Sequence, residues 1–131
     1  MAEDPYLELL KKAMERAYAP YSGFPVGAVV KSNSGKLYSG TNMENAAYPQ
    51  GWCAETSAIA AMVMAGEQQL VEVAVMAEGE KPCPPCGGCR QKLWEFALPG
   101  TRVLVYSPQG LKASWLLENL LPHAFGGDHL K

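Results

Sequence analysis

Near the start of the chain, apolar side chains recur at helical spacing at Leu7, Leu10, Ala13, Met14 and Ala17. Asp4 and Pro5 ahead of them supply an N-cap and a proline at the first helical position, and Pro20 stops the run. Residues 19–25 read as a loop, because both of its prolines disfavour helix before them. The period then changes. Residues 26–31 read as a strand, Asn33-Ser34-Gly35 as a turn, and residues 36–42 as the returning strand of a β-hairpin. Residues 44–52 read as a loop. Cys53 opens a second helix through an alanine-rich stretch to Gly66, and such small side chains predict close packing against a sheet. Residues 70–76 form a strand rich in β-branched residues. A loop at 81–88, a short helix at 89–96, a strand at 102–106 and a short fifth strand at 112–114 follow. A helical turn at 116–121 and a tail at 122–131 close the chain. Alternating strands and helices after the hairpin predict an α/β fold with partly parallel strands covered on both faces.

Composition narrows the class. The 131 residues, 48% hydrophobic and 18% charged, suit one domain over 1–131 with a real core and exclude intrinsic disorder. Eleven basic against thirteen acidic residues give a net charge of −2. That balance disfavours long nucleic acid and anionic membranes as partners and favours small or neutral substrates. No apolar run approaches the roughly 20 residues of a membrane span. The opening Met1-Ala2-Glu3-Asp4-Pro5 lacks the basic and apolar regions of a signal peptide, so a cytoplasmic location is expected. In that compartment the four cysteines point to metal binding or chemistry rather than to disulfides.

Three cysteines fall within Cys83-Pro84-Pro85-Cys86-Gly87-Gly88-Cys89, and Cys53 lies about 30 residues earlier. C-x-x-C spacing lets two thiolates reach one ion from a single turn. Gly87 and Gly88 free the backbone of the second pair, whereas prolines stiffen the first, so Cys86 and Cys89 suit a chelating turn that opens a helix. Cys53, at a predicted helix start where the dipole favours thiolate, would supply a third ligand. Glu55 follows on the same first turn, where a carboxylate costs little and can curl toward the same ion. A redox C-x-x-C pair and a closed structural zinc with all four cysteines remain open on these residues alone. Glu55 by itself is an ordinary charge for a helix N-terminus.

The order Cys53-Ala54-Glu55, then Pro85-Cys86-Gly87-Gly88-Cys89, resembles the three-cysteine signature of zinc-dependent base deaminases. More of the chain resembles the small homotetrameric cytidine deaminases. Pro20-Tyr21-Ser22-Gly23-Phe24-Pro25-Val26-Gly27-Ala28 is similar to that family's N-terminal loop and first strand. Gly40-Thr41-Asn42-Met43-Glu44-Asn45-Ala46-Ala47-Tyr48-Pro49 is similar to its ribose-binding segment, and Leu120-Leu121-Pro122-His123-Ala124-Phe125 to its C-terminal signature. The resemblance implies a three-layer α/β/α sandwich around a five-stranded mixed sheet. It implies zinc on Cys53, Cys86 and Cys89, and Glu55 as the proton shuttle. Asn42 and Glu44 would bond the ribose 3′-hydroxyl, Phe24 would pack on the pyrimidine, and the Ala54 N–H would bind its carbonyl. Tyr48 and Phe125 would reach a neighbouring subunit's site, making a homotetramer with shared sites. Read without the resemblance, Asn42 and Glu44 are ordinary loop polars and Phe24 a core anchor.

The implied reaction is hydrolytic deamination of cytidine and 2′-deoxycytidine. A related aminopyrimidine nucleoside such as blasticidin S, a polynucleotide substrate and a non-catalytic four-cysteine zinc module are the alternatives. The sequence departs from the family's pattern in three places. Pro84 stands where serine or threonine is frequent, but it keeps the carbonyl that the family uses for the leaving amino group. Cys83 is additional to the ligand set. Thr56 stands where arginine is frequent beside the catalytic glutamate. Three thiolates around a divalent ion carry net negative charge, so this site is expected to run with less compensation, drawn from two helix N-termini and Arg90. Thr56 could otherwise be a helix-surface residue.

Overall fold

The computed structural model describes residues 4–130; the residues Met1-Ala2-Glu3 of the acidic opening and Lys131 of the tail lie outside them. Five strands form one mixed sheet in the order β2-β1-β3-β4-β5. They are β1 (Gly27–Ser32), β2 (Leu37–Thr41), β3 (Leu70–Met76), β4 (Ala97–Ser107) and β5 (Gly110–Leu116). β1 pairs antiparallel with β2 and β3, and β4 with β5; β3 and β4 are parallel. The parallel character is thus confined to one pair, the one that needs a helical crossover. The helices are α1 (Leu7–Glu15), α2 (Ala54–Met64), α3 (Gly87–Phe96) and α4 (Leu117–Leu120).

The alternation along β1 sorts the core into two halves. Ala28 and Val30 join Val73, Val75, Val103 and Val105 under α2, α3 and α4, with Met62, Leu93 and Leu117 fully covered. Val29, Ala74 and Met76 face the other way, against Tyr6 and Leu10 of the α1 segment. Helices thus lie on both faces of the sheet. The helix starts later than predicted: Tyr6 is its N-cap, and Asp4 and Pro5 lie ahead of it, although Asp4 Oδ1 still accepts from the amides of Tyr6 (2.8 Å) and Leu7 (3.3 Å). The Tyr106 hydroxyl donates to the other oxygen of Asp4 at 2.8 Å and so ties the helix start to β4. The helix itself ends at Glu15, earlier than the run to Ala17 predicted.

Two glycines set how closely helices approach the hairpin. A Cβ on Gly40 of β2 would lie 2.3 Å from the Ala58 nitrogen and 2.5 Å from the Ala54 oxygen, both backbone atoms of α2. A Cβ on Gly27 of β1 would lie 2.6 Å from the Leu10 oxygen of α1. The alanine-rich α2 therefore packs backbone to backbone on the strand, as its small side chains predict. β4 and β5 are longer than predicted. β4 begins at Ala97, ahead of the predicted start at Arg102, so Leu98, Pro99 and Gly100 lie inside it, and the β3–β4 register shifts between Leu70 and Glu72. The 44–52 segment has more order than a loop: Met43 exchanges both backbone hydrogen bonds with Trp52 at 2.9 Å, and Tyr48–Gln50 forms a 3₁₀ turn. Among the described residues no helix is long and apolar enough to cross a membrane.

Gly40→Ala is expected to cost about 3 kcal/mol, at the upper end of overpacking penalties, because the clashing atoms are backbone and cannot rotate away. Gly88→Ala, where the added methyl meets nothing within 4 Å, serves as control and should melt within a few degrees of wild type. Thermal unfolding of the two variants checks the difference.

Candidate active site

Two helix N-termini converge beside β3. Cys53 is the N-cap of α2 and Cys86 the N-cap of α3, both with extended backbone. α3 begins at Gly87, two residues before the predicted start, so Cys89 sits in its first turn. Gly87 and Gly88 adopt right-handed backbone, so the freedom expected of them is not used for a left-handed turn. The result is a trio. The sulfurs of Cys53, Cys86 and Cys89 lie within 4.8 Å of one another, and Cys83 stands outside the group. Tetrahedral zinc with sulfurs about 2.3 Å away spaces them roughly 3.8 Å apart, so three soft thiols at this separation suit that ion. All four cysteines are free thiols.

The thiols differ in environment. Burial pushes the Cys89 thiol, only 1% exposed, well above its usual value, reinforced by the negative charge of Glu55 and the other cysteines. Burial also raises Cys53, partly offset by Cys89. At Cys86 burial is outweighed, because the Cys89 amide and the neighbouring thiols stabilise its thiolate and lower its pKa.

Glu55, on the first turn of α2, is 5% exposed. Burial raises its carboxyl above the usual range; its own amide, Lys92 and Cys89 pull it partly back. The trio's Cys53 and Cys86, with Ala54 and Glu55, border a cavity of about 320 Å³. Phe24, Asn42, Glu44, Cys83 and Pro84 line the same cavity. That volume lies at the small end of the roughly 300–1,000 Å³ of small-molecule sites.

Asn42 and Glu44 also staple the 21–26 loop. Asn42 Oδ1 accepts from the Val26 amide (2.9 Å), and its Nδ2 donates to the Phe24 carbonyl (3.0 Å). Glu44 Oε1 accepts from the amides of Tyr21 (2.9 Å) and Ser22 (3.0 Å), and the Ser22 hydroxyl donates to its Oε2. The Ser22 hydroxyl, then the two amides, hold the Glu44 carboxyl below its usual pKa against a smaller opposing effect of burial. Tyr48 and Phe125 fall elsewhere. Tyr48, 75% exposed, lines an adjacent cavity with Tyr21 and Glu44, and Phe125, 55% exposed, stacks on His129.

Arg90 has a structural role: its guanidinium donates to the carbonyls of Pro85 (2.8 Å) and Leu120 (3.0 Å), clamping the cysteine loop to α4. Thr56 is buried rather than on the helix surface. Its Oγ1 lies 4.0 Å from Cys89 Sγ and accepts from Lys92 Nζ at 3.0 Å. Sequence reasoning passed over Lys92, although it follows Cys89 by three residues and so shares its helix face.

A family profile described as the cytidine and deoxycytidylate deaminase zinc-binding region matches residues 2–106. The cytidine deaminase of Sporosarcina psychrophila is 41% identical over 120 residues, 92% of this chain and 88% of that protein. The crystal structure of cytidine deaminase from Burkholderia pseudomallei aligns with a TM-score of 0.88 at 39% identity, over 95% of this chain and 100% of that one. The Mycobacterium tuberculosis cytidine deaminase structure aligns with a TM-score of 0.76 at 32% identity, over 94% and 99%. With a matched zinc-binding region, the same fold and a thiol trio at its centre, this chain belongs to the cytidine deaminase family.

Proposed function

We propose that the chain, acting as one domain over residues 1–131, hydrolyses cytidine and 2′-deoxycytidine to uridine and 2′-deoxyuridine. Water adds at C4, the C4–N4 bond breaks, and ammonia leaves. The observation that carries the reading is the buried carboxylate of Glu55 beside three converging thiols on the wall of a nucleoside-sized cavity. Cys53, Cys86 and Cys89 would hold zinc, which when bound supplies the Lewis acidity that makes water nucleophilic at neutral pH.

The remaining work falls to the chain's own groups. Glu55 takes a proton from the attacking water and delivers it to N3; it then takes the second proton, from the new C4 hydroxyl, and passes it to the departing amine. Its raised pKa suits a group that must both accept and give a proton near neutrality. The Ala54 N–H at the α2 start would receive the pyrimidine carbonyl, and the Pro84 carbonyl the leaving amino group. Phe24 would pack on the ring, and Asn42 with Glu44 would hold the ribose 3′-hydroxyl.

The proposed assembly is a homotetramer whose sites are shared through Tyr48 and Phe125. The outward face of α2 supports a covering partner: Ala60, Val63 and Met64 are exposed, Met64 at 88%, and α2 carries no basic residue. We place the protein in the cytoplasm, where its thiols stay reduced.

Loss of cytidine absorbance on adding purified protein tests the reaction, with cytosine, CMP and blasticidin S as comparison substrates. Turnover confined to blasticidin S would replace the substrate proposed here. Glu55→Gln should keep zinc and fold while activity falls by at least roughly 10²–10⁴-fold; a variant within tenfold of wild type rules out the shuttle. Cys53→Ala, Cys86→Ala and Cys89→Ala should each lose zinc and activity, whereas Cys83→Ser should keep both. Loss of zinc from Cys83→Ser would restore the four-cysteine structural site. Refolding Glu55→Gln chains together with Phe125→Ala chains should recover activity above the sum of the parents, because some sites then unite an intact Glu55 with an intact Phe125. A monomer in solution would contradict the sharing directly.

A further inference from the structure

We infer that Lys92 is a positioning residue that supplies the positive charge beside the thiol trio, acting on Cys89 through the hydroxyl of Thr56. The inference rests on the zinc reading of that trio. Loaded with a divalent ion, three thiolates keep a net negative charge, and Glu55, buried like Cys89, adds another beside them. Such a cluster needs a nearby cation or hydrogen-bond donors to persist.

The helix N-termini provide part of this. Arg90, the neighbouring fixed charge in sequence, donates to the carbonyls of Pro85 and Leu120. Lys92 is placed differently. Its ammonium donates to Thr56 Oγ1 at 3.0 Å and stands 5.8 Å from the centre of the Trp52 ring. It is not spent on a carboxylate: among the described residues the ion pairs are Lys11–Glu8 and His129–Asp128.

The geometry gives the Thr56 hydroxyl a direction. Its oxygen accepts from Lys92, so its own proton is free to point at Cys89 Sγ, 4.0 Å away. A thiolate at Cys89 can only accept, which fixes the order ammonium to hydroxyl to sulfur. The buried threonine thus carries the influence of an exposed lysine to a sulfur that the lysine does not touch. Two helices contribute to the chain, α2 through Thr56 and α3 through Lys92 and Cys89, so it also fixes the relative position of their first turns.

The sign of the effect on metal binding follows from this geometry. Cys89 holds an ion as a thiolate, and as a thiolate it accepts the Thr56 proton that Lys92 directs at it. Removing Lys92 frees the hydroxyl to turn away and weakens that support for the loaded state. Lys92 is largely exposed, so solvent and salt reduce its influence to a modest factor.

The test uses the full-length protein. Zinc affinity is measured at pH 7 by competition with a chromophoric chelator, alongside the sulfur-to-cobalt charge-transfer band of the cobalt-substituted protein. Lys92→Met should weaken zinc binding roughly three- to tenfold, with the difference narrowing at high salt. The charge-transfer band should move to longer wavelength, because sulfur without a neighbouring cation gives up its electron more easily. Lys92→Arg should restore both. If Lys92→Met does not fold, Lys92→Gln carries the same measurements. Zinc affinity and band position unchanged from wild type, or an arginine variant that behaves like methionine, would overturn the assignment and leave Lys92 a helix-surface residue. A wild-type chain that takes up no zinc would overturn the zinc reading as well. Normal zinc content and cytidine turnover in wild type confine any failure to Lys92.

Discussion

The approach of α2 to β2 at Gly40 is the constraint on which the site depends. Backbone meets backbone there, with no side chain between, so the height of α2 above the sheet is fixed to within a few tenths of an ångström. Cys53, Ala54, Glu55 and Thr56 all sit on the first turn of that helix or at its cap. Two residues beyond Gly40, the same strand delivers Asn42, and the Met43–Trp52 pairing then holds Glu44 and Cys53 in one neighbourhood. One contact without a side chain thereby sets the distance between the thiol wall of the cavity and its polar wall.

The second helix adds the other half of the electrostatics. Cys86 caps α3 and Cys89 lies on its first turn, so both helix dipoles point their positive ends at the trio. Arg90 ties the preceding loop, through the Pro85 carbonyl, to α4, through the Leu120 carbonyl. Glu55 is buried among these thiols without a direct ion pair, and burial dominates its titration. A proton shuttle needs that condition: a carboxyl fully paired with a cation would hold its charge too firmly to take and return a proton. Lys92 reaches Thr56 rather than Glu55, so it lowers the charge of the cluster without capturing the carboxylate.

Much of this was legible in the sequence because each element carried its own local signal. β3 was read to the residue, since its β-branched run is bounded by polar turns on both sides. The start of α2 followed from the alanine-rich run after Cys53, and the ligand trio from C-x-x-C spacing combined with a resemblance to known deaminases. β4 was cut short at Arg102, while tertiary pairing with β3 and a register shift carry the strand back through Gly100 and Pro99 to Ala97. Gly87 and Gly88 were assigned to the loop on composition, yet the cap at Cys86 draws them into α3. Lys92 was missed for another reason. Its partner, Thr56, is 36 residues away on another helix, and no periodicity within either segment pairs them.

The polar wall has its own economy. Glu44 accepts two amides and the Ser22 hydroxyl, and a carboxylate offers about four acceptor sites, so little capacity is left and all of it is acceptor. Its lowered pKa keeps it ionised, so any sugar hydroxyl it meets must donate. Asn42 uses Oδ1 and one Nδ2 hydrogen on the loop, which leaves an N–H to donate to that hydroxyl's oxygen. The pair can therefore hold one hydroxyl as donor and acceptor together, with both side chains already fixed by the loop and little ordering cost left on binding. In the proposed complex that hydroxyl is the 3′-hydroxyl, which cytidine and 2′-deoxycytidine share. Under that proposal the wall gives no discrimination between them, and a preference for either would have to arise at the 2′ position from other groups.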